Sequence, residues 1–248
     1  MSTQVLNQKT FTPANEALVT GGRPTTRTMT IGGTAFKAAV LLIVTLAFAT
    51  FGWNRAETVM ESVSPIVFIL GFVALLGLTF VAVRYPRFAA VVGFFYAVFM
   101  GTFIGAISRY YDAAYDGIVG QALFATLAVF GATLALYGFR IVRVTNRFVN
   151  TVIGATAGVV VFYLASLLLG VFGVDMTWMN QPTPLGIGIS VVISLVAAAN
   201  LFLDYAFIEG GAQQGAPKAM EWLGAFGLLT TLVWLYLELL RLLSLLRS

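Results

Sequence analysis

Two acids stand inside sequence that is otherwise plain apolar helix. Asp204 lies in Asn200-Leu201-Phe202-Leu203-Asp204-Tyr205, and Glu238 lies in Trp234-Leu235-Tyr236-Leu237-Glu238-Leu239-Leu240-Arg241. In hydrocarbon a carboxylate costs several kcal/mol unless it is paired, protonated or wetted, so an intramembrane acid marks a functional site by default. Two such groups held close together in a low-dielectric bundle cannot both ionise cheaply; they would share a proton and titrate as a coupled pair. Protonated, they would hydrogen-bond and hold two helices together. Ionised, they would repel each other and attract a hard cation such as calcium, which prefers oxygen ligands. The chemistry expected of Asp204 and Glu238 is therefore that of a gate and a transient calcium site made from the same groups, with too few carboxylates for tight metal binding.

The remaining acids are placed by elimination, because the chain has ten in all. Glu16 falls in the polar N-terminal segment; Glu57, Glu61, Asp112, Asp116 and Asp175 fall in expected loops; Glu209 and Glu221 flank the turn before the last apolar segment. Asn200 is one helical turn before Asp204 and shares its face, while Arg241, a turn after Glu238, is spaced to neutralise it. The sequence contains neither cysteine nor histidine. That removes disulfides, thiolate nucleophiles, imidazole metal ligands and Ser-His catalysis, and leaves any proton sensing to carboxylates. An intramembrane aspartyl protease would need a second buried aspartate, which is also missing. The expectation is a protein that is not an enzyme and holds no tightly bound cofactor.

What must position these acids is a membrane bundle. Hydrophobic residues make up 59% of the chain and charged ones 10%, a balance suited to lipid contact. Seven apolar stretches are long enough to cross a bilayer: Ala35 to Trp53, Val63 to Val83, Phe88 to Ile107, Ile118 to Tyr137, Phe148 to Phe172, Pro184 to Ile208 and Ala219 to Leu246. The predicted fold is an all-α polytopic bundle of seven transmembrane helices over residues 35–248, preceded by a flexible cytoplasmic tail over residues 1–34 that is rich in Thr, Gly and Pro. Short polar breaks such as Arg84-Tyr85-Pro86-Arg87 and Gln181-Pro182-Thr183-Pro184 make successive helices antiparallel neighbours. Lysine and arginine beside the spans favour a cytoplasmic N-terminus, although an odd number of spans then sends Arg241 and Arg247 outward. The net charge of +4 is scattered rather than patched, so the expected partner is the lipid bilayer and not a nucleic acid. Gly101 with Gly105, and Gly154 with Gly158, have the spacing of close helix-helix contacts.

The order of these features carries a resemblance. Leu235-Tyr236-Leu237-Glu238-Leu239-Leu240-Arg241-Leu242-Leu243, Leu203-Asp204 with Ile208 four residues on, and Tyr96-Ala97 followed by Gly101 and Gly105-Ala106-Ile107-Ser108 together resemble the Bax inhibitor family of seven-span membrane proteins, closest to its bacterial members, from about Thr34 to the end. The resemblance implies a pH-sensitive calcium leak in a bacterial cytoplasmic membrane, calcium being the transported ion, with Asp204 and Glu238 as a latch between the sixth and seventh helices. It also implies an arginine of the second helix that holds the sixth-helix acid, for which Arg84 is the candidate.

This sequence departs from the family pattern in three places. Glu238 stands where aspartate is usual, Met100 stands where glutamate is frequent, and Asp204 and Glu238 are further apart than the family's pair. A hairpin turning between Gly211 and Lys218 would put Asp204 opposite roughly Phe226, with Glu238 about 18 Å further along. Glu221, and with it Glu209, are the alternative acids near the turn. The other function compatible with the resemblance is a non-conducting membrane regulator that binds a membrane protease or another membrane complex, dependent on the N-terminal tail rather than on the acids.

Overall fold

The computed structural model describes residues 28–62, 74, 77–173 and 181–248. Among these the regular structure is helical: α1 (Ile31–Asn54), the short α2 (Ala56–Ser62), α3 (Ala89–Ala114), α4 (Ile118–Gly138), α5 (Asn146–Val171), α6 (Pro184–Gln213) and α7 (Met220–Arg247). Residues 77–84 are also helical, and a 3-10 turn at Pro86–Phe88 leads into α3. Six of the described helices are long and apolar enough to span a membrane. Their limits fall within five residues of six of the expected segments, except that α3 runs seven residues past Ile107, to Ala114. The remaining one, Val63 to Val83, lies for the most part outside the described residues, as do residues 1–27 of the expected tail. Residues of the expected tail that are described are packed: Thr28 bridges Pro217, and the Met29 amide donates to Ala216 O at 2.7 Å.

Local chemistry sets the helix starts. Thr30 and Thr145 have extended backbones and turn their hydroxyls back to accept from the Gly33 and Phe148 amides, capping α1 and α5. Thr183 does the same for the Gly186 amide, with Pro184 pre-set for the first turn of α6. Chain reversal before α4 uses Gly117 at φ 72°, where a side chain would be strained.

Two compact units divide the chain: Met1–Arg109 with Asp204–Thr230, and Tyr110–Leu203 with Thr231–Ser248. Helices α6 and α7 each contribute a stretch to each unit. In the first unit α1 and α3 run in the same direction and touch through glycine. A β-carbon on Gly101 would collide with Thr45 O, and one on Gly105 with Ala49 O, both pairs advancing by four residues. This is the close packing expected of the Gly101 and Gly105 spacing. Gly154 and Gly158 have the same spacing but no described atom within 4 Å of a β-carbon built there, so that expectation is corrected: the pair faces away from its neighbours. Small-xxx-small spacing states that one helix face is flat; it does not state which face is packed.

Large apolar side chains point outward along these helices, among them Phe36, Ile43, Phe124, Leu127, Val161 and Val192. Water would penalise so much exposed apolar surface, whereas lipid does not. Helix α7 is the exception. Most of its apolar stretch is buried, against less than half in the other five described spans.

Candidate functional site

Asp204 lies on α6 at the beginning of the stretch that belongs to the first unit. Its carboxylate is set against the backbone of α7: Oδ1 would be 3.2 Å from a β-carbon on Gly227, and Oδ2 is shut off from solvent. One turn further along α6, Ile208 Cγ1 stands in the same relation to Gly224, at 3.1 Å from its would-be β-carbon. The two pairs fix an antiparallel register in which Asp204 faces Gly227, one residue from the expected Phe226. Both α7 positions are glycine, so the carboxylate and the isoleucine reach the helix backbone itself. Phe226 turns instead to α3, where its ring meets Tyr96 edge to face at 5.3 Å.

Glu221, six residues before Gly227, opens the first turn of α7 and is 0% exposed. Its Oε1 accepts from the Thr30 amide and the Thr30 hydroxyl, each at 3.0 Å, and its Oε2 is ion-paired with Lys37. Glu221, expected as an alternative acid for Asp204, takes its partners from α1 and its cap, 191 and 184 positions away in sequence. No local pattern announces a contact of that separation. Lys37 also lies over the Trp222 ring, 5.2 Å from its centroid.

Glu238 belongs to the second unit and is 5% exposed. Tyr163 of α5 donates its hydroxyl proton to Glu238 Oε1 at 2.5 Å, and Arg241 Nη1 donates to the same tyrosine oxygen at 2.7 Å. Glu238 Oε2 faces Arg241 Nη1 at 3.6 Å, the i,i+3 pairing expected from the sequence. Tyr163 was not legible as part of this group, because an aromatic residue in an apolar helix reads as packing. The result is a three-residue relay around a buried acid, in which a tyrosine both donates to the acid and accepts from a cation. Asp204 and Glu238 therefore sit in different units, each with its own surroundings.

A model of the family described as Bax inhibitor 1 like matches residues 3–248 of the sequence. The chain belongs to that family. No curated protein and no solved structure shows significant similarity to it. The match to the Bax inhibitor 1 like family begins within the segment expected as a tail rather than at Thr34, and it agrees with the apolar helices in making this an integral membrane protein.

In this Bax inhibitor 1 like chain the remaining expected residues have partners of their own. Arg84 is exposed at the end of helical residues 77–84, its guanidinium 5.0 Å from the Tyr85 ring centroid. Glu209 accepts from Gln213 one turn on at 3.0 Å, an exposed bond close to the end of α6. Asn200 donates to Thr156 Oγ1 and to Val196 O, each at 2.8 Å, so it ties α6 to α5 in the second unit. Among the described residues no group of three or more acidic side chains gathers to hold a metal ion.

Proposed function

We propose that this protein is a pH-sensitive calcium leak, gated at the α6–α7 seam by Asp204, with Glu238 as the second acid of the pathway. The observation that carries the reading is the seat of the Asp204 carboxylate on the glycine backbone of α7. A neutral carboxyl packs there without a charge to solvate. An ionised one is costly in a low-dielectric bundle, loosens the seam and draws in a hard cation. Raising the pH populates the ionised form, so flux rises with pH. The protein works as a conduit in a bacterial cytoplasmic membrane with its N-terminus inside, needing neither catalysis nor a bound cofactor.

The test is calcium flux into proteoliposomes as a function of pH, for the wild type and for Asp204→Asn. The wild type is expected to pass more calcium as pH rises, and Asp204→Asn to lose that dependence. An unchanged pH curve in the variant would sink the latch. A wild type that passes no calcium would turn the reading to a non-conducting regulator of a membrane complex.

A further inference from the structure

The end of the α6–α7 hairpin is closed by residues that precede and open α1. Met29, 2% exposed, packs with Ile208, Ala216 and Met220, against Phe207 and Leu223. The stripe Thr30, Thr34, Lys37 then lies along the first turns of α7. Thr30 and Lys37 take both oxygens of Glu221, while Thr34 Cγ2 would be 3.1 Å from a β-carbon on Gly224. Gly33 leaves room for this arrangement, since a β-carbon there would collide with the Glu221 carboxylate. Gly224 is also the residue that Ile208 reaches from α6, one turn from Asp204. The same α7 backbone position is thus held by α1 from one direction and by α6 from another.

We propose that Glu221, Lys37 and Thr30 are positioning residues: a clamp through which the start of α1 sets how tightly α6 and α7 close at Asp204. The inference rests on the leak reading of that seam. A buried pair broken on one side leaves an uncompensated charge, so Glu221→Gln or Lys37→Met releases α1 and lets water reach the hairpin end. The Ile208 and Asp204 contacts with α7 then loosen together, because Gly224 and Gly227 are less than one turn apart.

The absence of native cysteine permits a direct reading. In full-length protein in nanodiscs, the pair Ile208→Cys with Gly224→Cys is oxidised and the cross-linking rate followed with and without Glu221→Gln or Lys37→Met. Amide exchange of residues 28–37 and 214–222 is measured in parallel, without the cysteines. Clamp variants are expected to cross-link more slowly and to exchange roughly tenfold faster or more. The double variant Lys37→Met with Glu221→Gln, which removes both charges and leaves a side-chain oxygen at 221 to accept from Thr30, is expected to recover much of both, and Thr30→Val, which keeps the ion pair, to act in the same direction more weakly. In proteoliposomes the same single variants are expected to raise calcium flux at acidic pH several-fold, with the double variant returning much of it. Unchanged cross-linking, or no rescue by the double variant, overturns the clamp. Altered cross-linking with rescue in a protein that passes no calcium upholds the clamp and removes the leak. Altered cross-linking with a wild-type pH profile of flux overturns the positioning role.

Discussion

Asp204 Oδ1 occupies space that a side chain on Gly227 would contest: the oxygen and a β-carbon there would be 3.2 Å apart. An acid on one helix meets bare backbone on the next, so the seam between them is held by that carboxyl group and by the Ile208 contact with Gly224 a turn away.

Gly227→Ala should separate stability from gating. Alanine gains roughly 0.5–1 kcal/mol over glycine inside a helix, and this offsets a contact that needs to give by only a few tenths of an ångström. Thermal unfolding in detergent is expected to stay within about 1 kcal/mol of wild type. Calcium flux at acidic pH is expected to rise, because the new methyl group holds the carboxyl group a few tenths of an ångström further from α7. A flux curve identical to wild type would show that the Asp204 seat does not close the path.

The Tyr163, Glu238 and Arg241 relay should behave as one unit. Tyr163→Phe removes a donor to a buried acid and should destabilise by about 1–3 kcal/mol. Arg241→Met leaves the acid without its cation and should cost about 3–5 kcal/mol. Combined with Glu238→Gln, either loss should shrink, since the demand for a partner disappears with the charge. A double-mutant cycle by denaturant unfolding measures this coupling, and strictly additive losses would mean the three groups act independently.

Two glycine pairs of equal spacing should respond in opposite directions. Gly105→Ala forces a β-carbon into Ala49 O and should disrupt the α1–α3 crossing, with a loss of several kcal/mol or of folded protein. Gly154→Ala and Gly158→Ala meet open space and should stabilise by about 0.4–1 kcal/mol through helix propensity. Melting temperatures of the three variants in one detergent decide it, and a loss at Gly154 comparable with that at Gly105 would contradict the packing described.

Much of this protein is written in short-range pattern. Hydropathy places six helices, with α3 running seven residues past its expected end, because membrane insertion depends on the apolar length of each segment and little else. Counting acids singles out Asp204 and Glu238, since a charge in an apolar run is visible without its neighbours. The hairpin register follows nearly as directly: a short turn leaves one antiparallel pairing, and Asp204 comes to Gly227 where Phe226 was expected. Arg241 beside Glu238 is likewise a matter of helical spacing.

Other features had no local signal. Lys37 reads as a topology marker until α1 brings it to Glu221, and Tyr163 reads as packing until α5 brings its hydroxyl to Glu238. Gly101 with Gly105 and Gly154 with Gly158 are indistinguishable by spacing, yet one pair is packed and the other is not. The sequence by itself determined which segments are helices, where the costly charges sit and how adjacent helices align, because those depend on solvent transfer and on the 3.6-residue turn. Only the tertiary structure decided the partner of each charge and the packed face of each helix. A partner in a membrane is chosen by which helices pack side by side, and that choice joins residues nearly two hundred positions apart.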